Sequence, residues 1–517
     1  MWAIRGRVVP LSSELMVAPN EAAVFTGRVW VDDNGTIVAV TKGSKAGPPG
    51  SADAQVIDVG SSLVMPGLID LHNHLAYNTL PLWTEPRQQT PFPHHNSWTR
   101  AETYAASTTW PAYALITACP QELLAYVEAK AIVGGTTSIQ GSPPKNRPRD
   151  GWLVRNIEDE TFGSHNANLI YASVLTAKPA ALAERANKMR TGSAFIYHCS
   201  EGQRGSIVAR EFTDAEAAGC LQPRFIAVHA NAVDPAVFAH WQSPGAIAWS
   251  PFSNLWLYGQ TTDVPAARAA GINVCLGSDW APSGTKNVLG ELKSARLTAD
   301  HLGWSLSDRD LVMMATCLPG DTLDRAWGRQ VGRLQPGAQA DLLVINAKRG
   351  ADAFRTIVRA TEDDVDLVVI DGRRRYGTPE LMAEASTVTT LAVGGRPAQQ
   401  LSLNQPSDAS KAWKWSEVVD RMEEVRAHPK REVEAANAMY ARWAGRLDDR
   451  EAPLRLALDM PTGLAPIGGL PKDLDELVIP PLESLAHDGD WLDSVVGRGF
   501  HSGVLDGLTD YYRQPQE

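Results

Sequence analysis

The chain has 517 residues, 44% of them hydrophobic and 21% charged, with a formal net charge of -11. A chain of this length can bury a large core and is expected to hold one big domain with one or two smaller ones. The acidic balance excludes a nucleic-acid surface, which needs clustered Lys and Arg, and no apolar run approaches the ~20 residues of a membrane span.

The first residues, Met1-Trp2-Ala3-Ile4-Arg5-Gly6-Arg7, lack the apolar centre of a secretory signal. Cys119, Cys199, Cys220, Cys275 and Cys317 are scattered and form no Cys-x-x-Cys pair, which suits buried thiols in a reducing compartment. A cytoplasmic protein is expected, with a small-molecule substrate and with homo-oligomerisation left open.

In chain order, β-rich runs at Ala23 to Val31, Thr36 to Val40 and Ala54 to Val59 alternate with Gly, Asn and Asp turns, which predicts a small antiparallel sheet in residues 1–64. From Val64 to about Gly303, apolar strand-like runs alternate with helix-like stretches, the pattern of βα units on a parallel sheet. Strands are expected at 63–71, 136–140, 168–174, 194–198, 225–229, 246–250 and 272–278, with an eighth in Trp152 to Ile157. The fold class is therefore α/β, an eight-stranded TIM-like barrel over residues 65–325.

Residues 326–404 return to turn-and-strand texture and are expected to complete a composite β-sandwich with the N-terminal strands. In residues 405–517, Trp415, Val418, Met422 and Val425, then Met439, Tyr440 and Trp443, recur at helical spacing, predicting an extra, partly helical segment. No activity is assigned to it.

Polar clusters close several of the expected barrel strands. His72 and His74 follow Met65-Pro66-Gly67-Leu68-Ile69-Asp70, and residues two apart in an extended segment point to one side, so the pair can share one ion. His198 ends Phe195-Ile196-Tyr197 and supplies a third imidazole, a set that suits Zn²⁺ first, with Fe²⁺ or Mn²⁺ as alternatives. Glu201, three residues on, can reach a metal-bound water without binding the ion. Asp279 closes the last strand and can serve both metal and water. His229, ending Phe225-Ile226-Ala227-Val228, can polarise a substrate, a structural histidine being its alternative.

Together with Ser250-Pro251-Phe252-Ser253-Asn254-Leu255 and the Leu276-Gly277-Ser278-Asp279 strand, these segments resemble the amidohydrolase superfamily, in the branch that includes cytosine, S-adenosylhomocysteine and guanine deaminases and the triazine chlorohydrolases. The resemblance covers roughly residues 20–375. It implies a barrel with a composite β-sandwich, one divalent ion on His72, His74, His198 and Asp279, and proton and substrate handling by Glu201, His229 and Asp279. Lys178 lies near the place of the bridging lysine of two-metal relatives, but it precedes Pro179 and reads as a solvated lysine, so one metal is expected.

For the substrate, Trp83, Trp98, Asn254 and Trp280 are the candidate contacts, within an aromatic set that also includes Phe92, Trp110, Trp256 and Tyr258. Arg87, Arg100, Arg147, Arg149 and Arg155 are weaker candidates for gripping an anionic group. The expected activity is hydrolysis of a C–N bond in an amide, lactam or cyclic amidine through a metal-bound hydroxide. Deamination of a heterocycle is the near alternative, because Trp280 and the long Ala76 to Cys119 segment depart from the deaminase pattern. A non-catalytic metal-binding or assembly protein on the same fold is the alternative of another class.

Overall fold

The computed structural model describes residues 1–15, 19–141, 153–157, 169–171, 175–383, 385, 388–403, 414–443, 474–480, 482 and 485–513. Strands β1 (Trp2–Val8), β2 (Phe25–Val31), β3 (Ile37–Lys42) and β4 (Gln55–Pro66) open the chain. Alternation of buried Ala3, Ile4 and Val8 with more exposed Arg5 and Arg7 marks β1 as a strand with one covered face. At Gly67 the chain leaves β4 and enters β5 (Leu68–Asp70), so the sheet hands the polypeptide directly into the parallel array.

That array consists of β5, β6 (Thr136–Ile139), β7 (Arg155–Asn156), β8 (Leu169–Tyr171), β9 (Phe195–Cys199), β10 (Phe225–His229), β11 (Ala246–Trp249) and β12 (Asn273–Leu276). Runs such as Phe195-Ile196-Tyr197-His198-Cys199 are buried along their whole length, as expected of parallel strands covered on both faces. Two ladders are present, β5-β6-β7 and β8-β9-β10-β11-β12. They meet where Leu71 N donates to Leu276 O at 3.2 Å and Asn73 bridges Asp279. The strands thus form one arc, β7 to β5 and then β12 to β8. Residues 158–168, between β7 and β8, lie outside the described set, so it is this arc, rather than the closed ring expected from the sequence, that the structure describes.

The expected combination of the N-terminal strands with the later segment is present as one continuous hydrogen-bonded sheet. Strands β13 (Leu342–Ile345), β14 (Val365–Ile370), β15 (Arg373–Gly377), β16 (Val388–Val393) and β17 (Arg396–Ser402) join the N-terminal strands in a single nine-stranded sheet, ordered β16-β17-β15-β14-β13-β4-β1-β2-β3. The physical reason is one antiparallel seam, with β13 pairing β4 from Leu342 opposite Pro66 to Ile345 opposite Leu63. One face buries Ile4, Val8, Val29, Val64, Leu342, Val344 and Leu367 in a shared core.

The chain beyond β17 folds back onto the array. Helices Trp415–Ala427 and Pro429–Trp443 pack on Trp110–Ala118 and Pro120–Val133, with Trp415 stacked on Tyr126 at 5.6 Å between ring centroids. Farther on, Trp491 meets Phe252 at 5.2 Å, and Arg498 lies 4.4 Å from the ring centre of Trp256. The tail therefore buttresses Pro251–Tyr258, the helix that follows β11. All five cysteines are buried and free of disulfides, and no described helix is long and apolar enough to cross a membrane.

Candidate active site

His72, His74, His198, His229 and Asp279 converge at the carboxyl ends of β5, β9, β10 and β12, each at most 2% exposed. Parallel arrays collect functional groups at this edge because every strand ends there and its following loop is free to vary. Ligand atoms of His72, His74 and His198 lie within 4.8 Å of one another, as do those of His72, His229 and Asp279. Asp279 Oδ1 is 3.1 Å from His72 Nε2 and 3.5 Å from His74 Nε2.

The backbone is bent to make this convergence. Ser200, His229, Ala230 and Asp279 all have φ between 52° and 64°, a region that side chains other than glycine's seldom occupy. Such residues cost about 1–3 kcal/mol each and gather at functional sites. Gly277 has no alternative, since a Cβ there would sit 2.6 Å from His72 Cβ.

A polar scaffold stands behind the cluster. Gln140, just past β6, places Oε1 at 2.9 Å from His72 Nδ1, where it accepts the ring N–H and leaves Nε2 facing inward. Asn73 Nδ2 donates to Ser278 Oγ at 2.8 Å and to Asp70 Oδ2 at 3.2 Å, and Ser278 N donates to Asp70 Oδ1 at 2.9 Å. These bonds sew β5 to β12. Burial pushes the Asp70 carboxyl up to about 7 against its hydrogen bonds.

His229 is held from the other side: Asn254 Nδ2 donates to its Nδ1 at 3.2 Å. Nε2 then carries the proton and lies 3.8 Å from Glu201 Oε1 and 3.9 Å from Asp279 Oδ2. Burial keeps the ring neutral, with a value near 3. Burial also lowers His198 far below the usual histidine range, with the neighbouring imidazoles adding to it. For Asp279, burial alone would raise the carboxyl, but His72, His229 and His74 outweigh it and hold it well below the ordinary range.

Glu201 is the reverse case, raised well above the carboxylate range by burial and by the Asp279 charge, against the lowering effect of a hydrogen bond from Tyr258. Tyr258 OH donates to Glu201 Oε1 at 2.5 Å and accepts from Trp98 Nε1 at 2.8 Å. Glu201 Oε2 and both ring nitrogens of His198 find no hydrogen-bond partner among the described residues, although all are buried. Orphaned polar atoms of this kind cost about 1–3 kcal/mol each. Three imidazoles and a carboxylate gathered within ligand distance of one another make a donor set that fits a divalent cation of the zinc type.

The aromatic candidates form a graded wall. Trp98 and Trp280 are 5.3 Å apart between ring centroids, and Trp280 also meets Tyr77 at 5.3 Å. Trp83 lies a layer farther out, 6.3 Å from Trp98 and stacked on Phe92 at 5.9 Å. Asn254 is buried and its amide nitrogen is bonded to His229. Arg155 is taken by Asp341 at 2.8 Å and Asp371 at 3.0 Å, which accounts for its charge, while Arg147 and Arg149 lie outside the described residues. Lys178 is exposed at the start of helix Pro179–Arg190.

Sequence reasoning missed Gln140, the hydroxyl role of Tyr258, and His95, which reaches the site from the long loop. Gln140 carried a usable signal, as the last residue of a predicted barrel strand. The other two depend on contacts between segments far apart in the chain, Tyr258 with Glu201 and His95 with Glu201.

Residues 192–375 match the Amidohydrolase family. Over 422 residues the chain is 25% identical to a 5-methylthioadenosine/S-adenosylhomocysteine deaminase of Symbiobacterium thermophilum, covering 70% of this chain and 93% of that one. A 5'-deoxyadenosine deaminase of Methanothermobacter thermautotrophicus is 30% identical over 179 residues, 32% of this chain and 41% of that one. Among solved structures, a zinc-bound adenosine deaminase from Xanthomonas campestris superposes with a TM-score of 0.53 at 19% identity, covering 72% of this chain and 92% of that one. An atrazine chlorohydrolase from Arthrobacter aurescens, complexed with zinc and atraton, gives 0.55 at 18%, covering 72% and 95%.

Proposed function

Taking as premise that the chain carries an amidohydrolase-family region over residues 192–375, we propose that it is a mononuclear metal-dependent hydrolase that deaminates a flat nitrogen heterocycle. C–N hydrolysis is common ground for its deaminase relatives. The choice of deamination over amide or ring opening, towards which the sequence leans, is supported by the deaminases aligned along 70% of the chain. The observation that carries the reading is the convergence of three imidazoles with the Asp279 carboxylate, beside the buried Glu201 carboxyl that Tyr258 holds and whose Oε2 has no partner among the described residues.

In this reading His72, His74, His198 and Asp279 hold one cation, Zn²⁺ before Fe²⁺ or Mn²⁺. When bound, the cation supplies Lewis acidity at the centre of the cluster. The remaining roles belong to the chain. Asp279 takes a proton from the attacking water. Glu201, with Oε1 fixed by Tyr258 and Oε2 facing the site, delivers a proton to the departing nitrogen; two carboxyls with affinities pushed apart suit such a relay. His229 donates from Nε2 towards developing negative charge, and Asn254 keeps it in that tautomer. Trp98 and Trp280 offer flat apolar surface and exclude water.

The test is to load the purified chain with zinc and screen adenosine, guanine, melamine, amides and lactams. Stoichiometric ammonia from an amino-substituted ring is expected, with a gain of about one mass unit on replacing NH₂ by OH. Consumption with a gain of about 18 and no ammonia would return the reading to ring or amide opening.

A further inference from the structure

The long loop after His74 reaches the site through one short segment. Phe92 N donates to Leu257 O at 2.8 Å, Gln203 N to Pro93 O at 2.8 Å and His95 N to Glu201 O at 3.2 Å. His94 also pairs with Gly202 in an antiparallel bridge. Gly202 is what permits that approach, since a Cβ there would lie 2.6 Å from Pro93 O. The pairing holds His95 beside Glu201 in a fixed register.

The His95 ring is fully buried, with Trp98 at 4.6 Å between ring centroids. One of its ring nitrogens lies within 4.8 Å of a ring nitrogen of His198 and a carboxylate oxygen of Glu201. Nδ1 is 3.2 Å from Asn96 Oδ1, and Nε2 has no hydrogen-bond partner among the described residues. With Asn96 accepting from Nδ1, Nε2 presents a lone pair. The other groups turned inward are already engaged. The imidazoles of His72, His74 and His198 and the Asp279 carboxylate suit a cation, His229 Nε2 is a donor, and Glu201 moves a proton. Among the described residues, His95 Nε2 is the neutral acceptor left beside Glu201, and a substrate amine brings N–H groups to that place.

We propose that His95 is a specificity-determining residue whose Nε2 accepts an N–H of the substrate's amino group, so that the enzyme selects rings bearing an amine with at least one hydrogen. This rests on the deamination reading above and narrows it. A dialkylated amine presents no donor and leaves a buried acceptor unpaired, which is how enclosed sites achieve large discrimination.

The experiment uses the zinc-loaded full chain, with adenosine, guanine and melamine each compared with its fully N,N-dimethylated exocyclic-amine counterpart. Wild type is expected to favour the amino compound by about 100-fold or more in kcat/KM. His95→Phe should reduce that preference to within about 10-fold, and His95→Gln, whose Oε1 also accepts, should keep most of it, both at wild-type metal content. An unchanged preference in His95→Phe overturns the assignment. So does loss of metal, which would make His95 a ligand, or failure of both variants to fold by circular dichroism. If wild type turns over none of these probes, the same pairs are ranked by thermal stabilisation of the three proteins, and identical rankings, a shared lack of any shift included, overturn it. Failure of the deamination reading shows separately, in the wild type, as turnover without ammonia.

Discussion

At the strand ends, five residues from four strands meet through short connections, each directly following an apolar run. Over them lies a wall of a different kind: Trp98 and His95 from a loop of more than 40 residues between β5 and β6, Tyr258 from a helix, and behind that helix Trp491 and Arg498 from the tail. The ligand cluster is placed by strand register, whereas the wall is placed by packing. Strand register follows from the parallel array itself, so the cluster is the part that supports the proposed metal chemistry. Packing depends on contacts between distant segments, so the wall is the part proposed to set substrate preference.

The largest expected effect is on the cluster itself. His72→Ala or His198→Ala should lower bound metal from about one ion per chain to near zero and abolish turnover, because an open zinc site has no ligand to spare. Elemental analysis checks this, and two ions per wild-type chain would break the mononuclear assignment. Next, Glu201→Gln should leave metal content unchanged and reduce kcat by roughly 10²-fold or more in steady-state assays. An active variant would remove Glu201 from proton transfer.

Tyr258→Phe tests whether wall and cluster are coupled. It removes the hydrogen bond to Glu201 and strands Trp98 Nε1, so a fall of about 10-fold in kcat with little change in KM is expected if the hydroxyl positions the carboxylate. A change confined to KM would make Tyr258 only a wall residue. Trp98→Phe should show the opposite split, KM rising several-fold with metal retained.

The smallest effect lies outside both regions. Burial pushes Glu291 up to about 8, above the ~4.3 of an unfolded chain. Between those values the folded state holds the extra proton, so this group's contribution to stability falls as pH rises. The stability difference between wild type and Glu291→Gln, read from denaturant midpoints, should therefore move in favour of the variant from pH 5 to pH 8. A pH-independent difference would show that Glu291 does not titrate in this window.

Legibility in the sequence follows the same division. The expected strands at 194–198, 225–229, 246–250 and 272–278 lie within a residue or two of β9 to β12, since fully buried parallel strands read as continuous apolar runs. His72, His74, His198, His229 and Asp279 are visible because each sits at the end of such a run. The helical spacing at Trp415 to Val425 likewise corresponds to helix Trp415–Ala427. Asn254 reads from the sequence as a substrate contact; its amide also bonds His229, a pairing across 25 residues that no local pattern encodes.

By itself, the sequence determined which side chains gather: periodicity and strand-end position select those that reach the carboxyl edge, and their identities suit a divalent cation and the proton relay proposed above. Only tertiary structure decided that β4 and β13 close one nine-stranded sheet, that Tyr258 and Trp98 reach Glu201, and that His95 enters beside it. Those outcomes depend on contacts between segments far apart in the chain, where loop length is tolerant and the packing partner, rather than the local residue pattern, determines the geometry.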